Sequence, residues 1–542
     1  MHSLINTIHN VIELFRNTSL VVHFKIIKIS KFEKRNLQKP LKIQEVTTGP
    51  GPHLVYRTIG GLLDMYFFPG PKPEEVIQQY HALIGKPFMP PFWALGFQLS
   101  RYGYKSLDEV KEVVKNVTEK GIPLETIYAD IDYMNRYMDF TLGDKWTGFG
   151  DYANELHKNY SMKLILIFDP AVDATSDAFK NALDKIMLGV VWPDHHAAFP
   201  DFFDTNVTKE WWKDEFVKIH NSVSFDGIWI DMNEPAAFGT DTDYPWYFDN
   251  PDHPNITSLK CKQSDKHDID KYENPPYLTH AVFLRETEVC DTTFFFALTQ
   301  LSSTEVQVWL SLLFFQHKLN QKTLCLYGKT HQGTEFLYNS KNMYGLYETI
   351  ATDYAARNAI PQRSVVISRS TFPSAGRYGG HWLGDNSATW DDLRTSIIGV
   401  QEFNMFGIPY VGSDICGFLT DTEEELCLRW QQAGAFHPFS RNHNDAAAMP
   451  QDPAQWESVA IATRTANLFR YSFLSYLYSL HFNVALNGGT VVRPLFFEFP
   501  GDAEAHNRGE EFLWGDSMLI APVYTKVTLN EFCSEYFFAS FS

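Results

Sequence analysis

Cysteine is scarce in this chain, with six residues in 542, and none of them falls in a C-x-x-C pair. No H-E-x-x-H run occurs either. These absences argue against zinc-finger, thioredoxin-like and zincin chemistry, which depend on such spacings. No metal site is suggested. Positive charge is also in short supply: 46 Lys+Arg face 65 Asp+Glu, for a formal charge of −19 and a pI near 5.4. The phosphates of nucleic acid and of anionic membranes would repel such a surface, whereas neutral carbohydrate is compatible with it. Long apolar runs are missing too. Two apolar stretches, TTFFFALT and VWLSLLFF, are broken by Glu305 and Gln307 too early for a membrane span. Met1 to Asn36 lacks the continuous apolar core of a signal peptide. The length exceeds what one core supports, so about two to four domains are expected.

What is present is concentrated in a few motifs. Asp226 to Phe238 reads DGIWIDMNEPAAF, where the apolar run GIWI delivers Asp231 and Glu234 at its end. GIWI suits a strand buried on both faces of a parallel sheet, and carboxylates just beyond such strands lie where α/β barrels assemble their active sites. The competing reading is a helix N-cap followed by a first-turn acid. A second motif, GGHWLGDN, sets Asp385 beside His381 and Trp382, 154 residues after Asp231. Glycosidic cleavage needs two carboxyl groups, one ionised to attack and one protonated to release the leaving oxygen. Trp229 and Trp382 offer apolar faces for a sugar ring, and a partly apolar surround raises a carboxyl pKa.

The chain resembles glycoside hydrolase family 31, the retaining α-glucosidases, and within it the maltase-glucoamylase, sucrase-isomaltase and lysosomal α-glucosidase group. The resemblance runs from about Leu54 to Val523 through YRTIGGLLDMYFF, PPFWALGFQLSRYGY, YADIDYM, DGIWIDMNE, SRSTFPSAGRYGGHWLGDN, GSDICGF, FHPFSRNHN and LWGDSMLIAPV. It implies Asp231 as nucleophile and Asp385 as acid/base, roughly 5 to 5.5 Å apart as retention requires. It places Asp130 and His443 on sugar hydroxyls, has Arg369 orient the catalytic acids and the hydroxyl near them, and implies that no cofactor is needed. The pocket walls would be Tyr102, Ile131, Ile167, Trp192, Trp229, Met232, Trp382 and Phe418, with Asp414 beneath. Each has a plain structural alternative: a strand-end cap for Asp130, an ion pair for Arg369, a satisfied core histidine for His443, and core packing for the apolar positions. The resemblance implies disulfides Cys261 to Cys325 and Cys416 to Cys427, against four free buried thiols as the alternative. Sequons at Asn17, Asn116, Asn159, Asn206 and Asn255 fit a secretory route, with gut surface, lysosome and secreted fluid all open.

The expected fold class is α/β, a (β/α)8 TIM barrel with remnants of flanking β-sandwich domains. Strand-like runs are expected at Phe92 to Leu99, Thr126 to Ala129, Lys163 to Phe168, Gly227 to Ile230, Ser364 to Ile367, Gly380 to Leu383, Pro409 to Gly412 and Ala435 to Phe439. Helix-like stretches at Leu107 to Lys120, Lys209 to His220 and Met343 to Asn358 supply the alternation. The expected division leaves 1–42 unassigned and puts a truncated N-terminal β-sandwich at 43–88. The catalytic barrel follows at 89–485, then a truncated C-terminal β-sandwich at 486–542. A long loop, 240–345, carries an insert at 282–318 that reads as foreign to the fold, with a novel lid as the alternative. The loop from Asp169 to Val191 is shorter than the family leads one to expect. The implied activity is exo-acting release of glucose from maltose, maltooligosaccharides and related α-glucosides, with α-1,4 or α-1,6 preference open. The alternatives are an inactive fragment and a carbohydrate-binding product.

Overall fold

In the computed structural model, residues 65–183, 186–192, 195–237, 240, 260–261, 271–273, 319–320, 322–330 and 333–526 are described, with the backbone of strands 21–24, 44–49 and 53–58. The segment 282–318 lies outside the described residues.

Eight short parallel strands build the core: β1 Phe97–Leu99, β2 Thr126–Ala129, β3 Lys163–Phe168, β4 Gly227–Ile230, β5 Val366–Ser368, β6 Gly380–Trp382, β7 and β8 Ser440–Asn442. β7 comprises two pieces, Val411–Gly412 and Asp414–Ile415, on either side of Ser413. Its first piece pairs with β6, Gly412 opposite Trp382, and its second with β8, Asp414 opposite Arg441. One strand therefore joins both ends of the sheet, and the ring closes as a (β/α)8 barrel. The strands are buried along almost their whole length, which is why they read as continuous apolar runs. Tight closure shows at Gly412, where an added Cβ would lie 1.8 Å from the Phe439 carbonyl oxygen.

Helices follow most strands. α1 Leu107–Glu119 starts at Ser106, whose hydroxyl accepts the Glu109 N–H. After β2 comes α2 Phe149–Glu155; α3 Val207–Ser222 precedes β4 and α4 Tyr344–Ala359 precedes β5. α5 Trp390–Met405 is capped by Thr389, and α6 Glu424–Gly434 leads into β8. Between β5 and β6 a 3-10 turn, Ala375–Arg377, replaces the helix. The segment after β3 folds as a small antiparallel sheet of Val172–Asp173, Ile186–Trp192 and His195–Pro200.

Some of the expected runs shift by a residue or two at an end, Pro409 to Gly412 for example starting only at Val411, and three differences carry more. Phe92–Leu95 is a 3-10 turn ahead of β1. β5 begins two residues later than expected and ends on Ser368. The eighth strand is not Ala435 to Phe439 but the polar stretch Ser440–Asn442. The apolar run instead forms a turn, where the buried Arg470 guanidinium donates to the carbonyls of Ala435, His437 and Pro438 at 2.6 to 2.9 Å. Those carbonyls are satisfied by a side chain and not by a ladder, so local hydrophobicity pointed at the wrong element.

At the carboxyl ends of β3, β4 and β5, register decides what meets. Ile230 lies opposite Phe168 on one side and Ser368 on the other. The next residues, Asp169, Asp231 and Arg369, therefore leave the barrel side by side at one level.

Candidate active site

The centre of this rim is Arg369. Its guanidinium meets Glu234 at two points, Nε to Oε1 and Nη2 to Oε2, both 3.1 Å. The same Nε is 2.9 Å from Asp231 Oδ1, and Nη1 is 4.0 Å from Asp385 Oδ2. One cation thus contacts three carboxylates carried by the ends of β4 and β6. Asp231 Oδ1 is buried and has no hydrogen-bond partner among the described residues, because the Nε proton is directed at Glu234. Asp231 therefore feels the arginine as charge and not as a hydrogen-bond donor.

Asp231 is pushed up to about 7 from its ordinary 3.8. Burial is the largest cause; Arg369 pulls the value down, while Asp385 and Glu234 push it up. Desolvation disfavours the anion, and the arginine opposes that effect. Arg369 itself loses stability as a cation through burial, but Asp231, Glu234 and Asp385 more than reverse this, so it stays charged. Met232 supports the same corner. Its backbone sits at φ 54, a left-handed conformation costly for a side-chain-bearing residue. In that conformation its N–H bonds the Asp231 carboxylate, and its sulfur lies 2.8 Å from Arg369 Nη2.

Beyond the ends of β8 and β2, His443 Nε2 is 3.8 Å from Asp130 Oδ2. His443 stacks on Phe418 at 5.0 Å and meets Trp229 edge-on at 5.2 Å. Burial, then the charge of Arg441, holds His443 well below its ordinary range, leaving a neutral ring that can donate at one nitrogen and accept at the other. Asp130 is raised well above a normal carboxyl by burial and by Asp132. Its Oδ1 also accepts the Ile131 N–H at 2.7 Å, so it caps the 3-10 turn Ile131–Tyr133 while its other oxygen faces the histidine.

The two tryptophans are placed differently from the open stacking faces expected of them. Trp229 and Trp382 are 2% and 1% exposed and pack edge-to-face at 5.3 Å. Arg441, fully buried, lies against both rings, 4.4 Å from the Trp229 centroid and 5.3 Å from that of Trp382. It is paired with Asp414 at 2.8 Å. The pair and the indoles form one buried cation–π cluster. Asp414 is thus fully buried and bound to a partner the sequence did not reveal.

The remaining positions sort by depth. Tyr102 is half-buried, its N–H donating to Asn444 O at 3.0 Å. Ile131 packs partly exposed against the core, and Ile167 is buried in β3 with its carbonyl accepting the Tyr133 hydroxyl. Trp192 ends a strand opposite His195, and its side chain lies outside the described residues. Glu234, Arg441 and the buried Asp139 and Asp169 are the contributors that motif reading left without a role. Asp169 donates its N–H to Asp139 Oδ1 at 3.1 Å and stands next to Asp231.

Both disulfides are formed, Cys261 to Cys325 and Cys416 to Cys427. Among the described residues, the one constellation with metal-like spacing is Cys261, Glu273 and Cys325, and both of its sulfurs sit in a disulfide. No helix among the described residues is long and apolar enough to cross a membrane.

The geometry agrees with what the chain is similar to. Residues 87–480 match the glycosyl hydrolases family 31 TIM-barrel domain, and 488–536 match the glycosyl hydrolase family 31 C-terminal domain. Human intestinal sucrase-isomaltase is 38% identical over 519 residues, spanning 88% of this chain and 26% of that protein. Mouse lysosomal alpha-glucosidase is 38% identical over 496 residues, 88% of this chain and 46% of that protein. The chain therefore spans less than half the length of these relatives. In fold it is similar to the crystal structure of glucosidase II alpha subunit, with a TM-score of 0.69 at 23% identity, covering 94% of this chain and 47% of that one. With its family model matched across the whole barrel and its acids grouped at the barrel's carboxyl rim, the chain belongs to glycosyl hydrolase family 31.

Proposed function

We propose that this chain is a retaining exo-α-glucosidase releasing terminal glucose from maltose, maltooligosaccharides and related α-glucosides. The activity resides in the barrel of residues 89–485, flanked by sandwich segments at 43–88 and 486–542. The observation that carries this reading is the single Arg369 guanidinium in contact with both Asp231 and Asp385, which brings two carboxyl groups from separate strands to one point.

In this reading the Asp231 carboxylate attacks the anomeric carbon and forms a glucosyl ester, while Asp385 protonates the departing glycosidic oxygen. Asp385, now ionised, takes a proton from water as that water attacks the ester, and Asp231 leaves as carboxylate. Arg369 keeps the nucleophile ionised against the cost of burial. Asp130 and neutral His443 bond hydroxyls of the bound ring, and a site built on such bonds rejects sugars lacking the matching hydroxyl.

A secretory route fits the two disulfides. The sequons at Asn116, Asn159 and Asn206 are exposed, Asn116 on α1.

Glucose release from maltose, beside proton NMR of the first-formed anomer from an aryl α-glucoside whose leaving group is no sugar, tests the proposal. Initial α-glucose from the aryl glucoside is the expected result, and initial β-glucose from it, or no release from folded protein, refutes the proposal.

A further inference from the structure

Asn233 stands between Met232 and Glu234 on the turn that follows β4, and it is fully buried. The turn is closed by the Ala236 N–H donating to the Met232 carbonyl at 2.7 Å. A buried amide is retained where its polar atoms find partners, and those of Asn233 lie on another strand. Its Nδ2 donates to Ser368 Oγ at 2.9 Å, and its Oδ1 accepts the Ser370 N–H at 2.8 Å. These two serines flank Arg369. The Ser368 hydroxyl in turn donates to the Ser370 carbonyl at 2.8 Å, while the Ser368 carbonyl accepts from His381 Nδ1 at 2.9 Å. The Arg369 N–H donates to the Ile230 carbonyl at 3.2 Å. The backbone of 368–370 is therefore pinned on both sides of the arginine.

That pinning matters because the arginine side chain is long and has to reach carboxylates on two other strands. Of the four residues Asp231 to Glu234, Asp231, Met232 and Glu234 each meet the guanidinium. Asn233 holds the backbone from which the guanidinium extends. Resting on the α-glucosidase reading, we propose that Asn233 is a positioning residue that acts through Arg369, bracketing it so that its guanidinium stays set against Asp231 and Asp385.

The charged groups that face Asp231 are Arg369 after β5, Asp385 after β6, Glu234 on its own turn, Asp169 after β3 and Asp130 after β2. Glu348 of α4 faces the Asn233 amide. Asn233→Ala keeps all of them, so a change in how Asp231 ionises reports movement of the guanidinium.

The test follows kcat/KM for an aryl α-glucoside against pH in the parent chain, Asn233→Ala, Ser368→Ala and Asn233→Ala/Arg369→Met. In Asn233→Ala, kcat is expected to fall about tenfold to a hundredfold with KM little changed, the scale of a small misplacement at a reacting centre. Its acid limb is expected at higher pH, because a displaced guanidinium pulls Asp231 down less. Ser368→Ala strips one bond and keeps the one to the Ser370 N–H, so the same shift is expected to be smaller. In the Arg369→Met background, removing Asn233 is expected to cost about twofold at most, since the group it acts through is gone. An acid limb that stays in place in both single variants, or losses that multiply in the double variant, overturns the inference. A folded parent without turnover refutes the α-glucosidase reading alone, and thermal unfolding then judges Asn233. A deficit in Asn233→Ala clearly larger at pH 7.5 than at pH 4 supports the bracket, because a carboxyl raised further loses more stability as pH climbs; equal deficits overturn it.

Discussion

Replacing Asp231 with Asn should do two opposite things. Turnover is expected to fall by roughly four orders of magnitude, as when the attacking group is removed from a machine whose other parts remain. Stability is expected to rise, but only at neutral pH. Burial lifts the Asp231 carboxyl from 3.8 to about 7, a shift of about 3 units, and at about 1.4 kcal/mol per unit the ceiling on the folding cost is about 4 kcal/mol. The sign follows from the direction of the shift. A group with a raised folded-state pKa favours folding fully below 3.8, and that contribution is lost as pH climbs through about 7. Asn cannot ionise, so the variant and the parent should match near pH 4, diverge as pH rises to about 7 and keep that difference above it. Arg369 keeps Glu234 as a two-point partner in the variant, so no buried cation is stranded. Thermal unfolding at both pH values, run beside maltose turnover, reads all of this; a gain of several degrees at pH 7.5 and little at pH 4 is expected. An equal gain at both pH values, or a loss at pH 7.5, would show that burial does not strain this carboxylate, and the electrostatic account would fall.

Arg369→Met removes the strongest influence holding Asp231 down, so the acid limb of kcat/KM should move to higher pH, with Arg369→Lys restoring part of the shift. A limb that stays in place would mean that Asp231 does not set it. Opening Cys416 to Cys427 by double Ser substitution releases a loop of sequence separation 11, for which chain-entropy reasoning gives a loss of about 3 kcal/mol. Denaturant titration checks that figure, and an unchanged midpoint would show that the surrounding packing alone orders the segment.

Much of the barrel was legible locally. β2, β3 and β4 stand where their apolar runs stand, because a strand covered on both faces has no polar positions to blur the pattern. The acids at Asp231 and Asp385 were legible for the same reason, since each follows directly on such a run. The pairing of the cysteines and the ring of pocket residues were read through family motifs and not from spacing. Strand eight was misplaced because Ser440–Asn442 is polar yet buried, its Arg441 side chain stacked on indoles contributed by β4 and β6.

What the sequence by itself determined is the succession of strands and helices and the position of each carboxylate at a strand's end, because burial of a short segment is written in that segment's own residues. The tertiary structure alone decided which charges meet: Arg369 with Glu234 and both acids, Arg441 with Asp414 against two tryptophans, and Asp139 with Asp169. Those partnerships depend on the register of parallel strands and the closure of the ring through Ser413, and register is a relation between distant segments that no single segment contains.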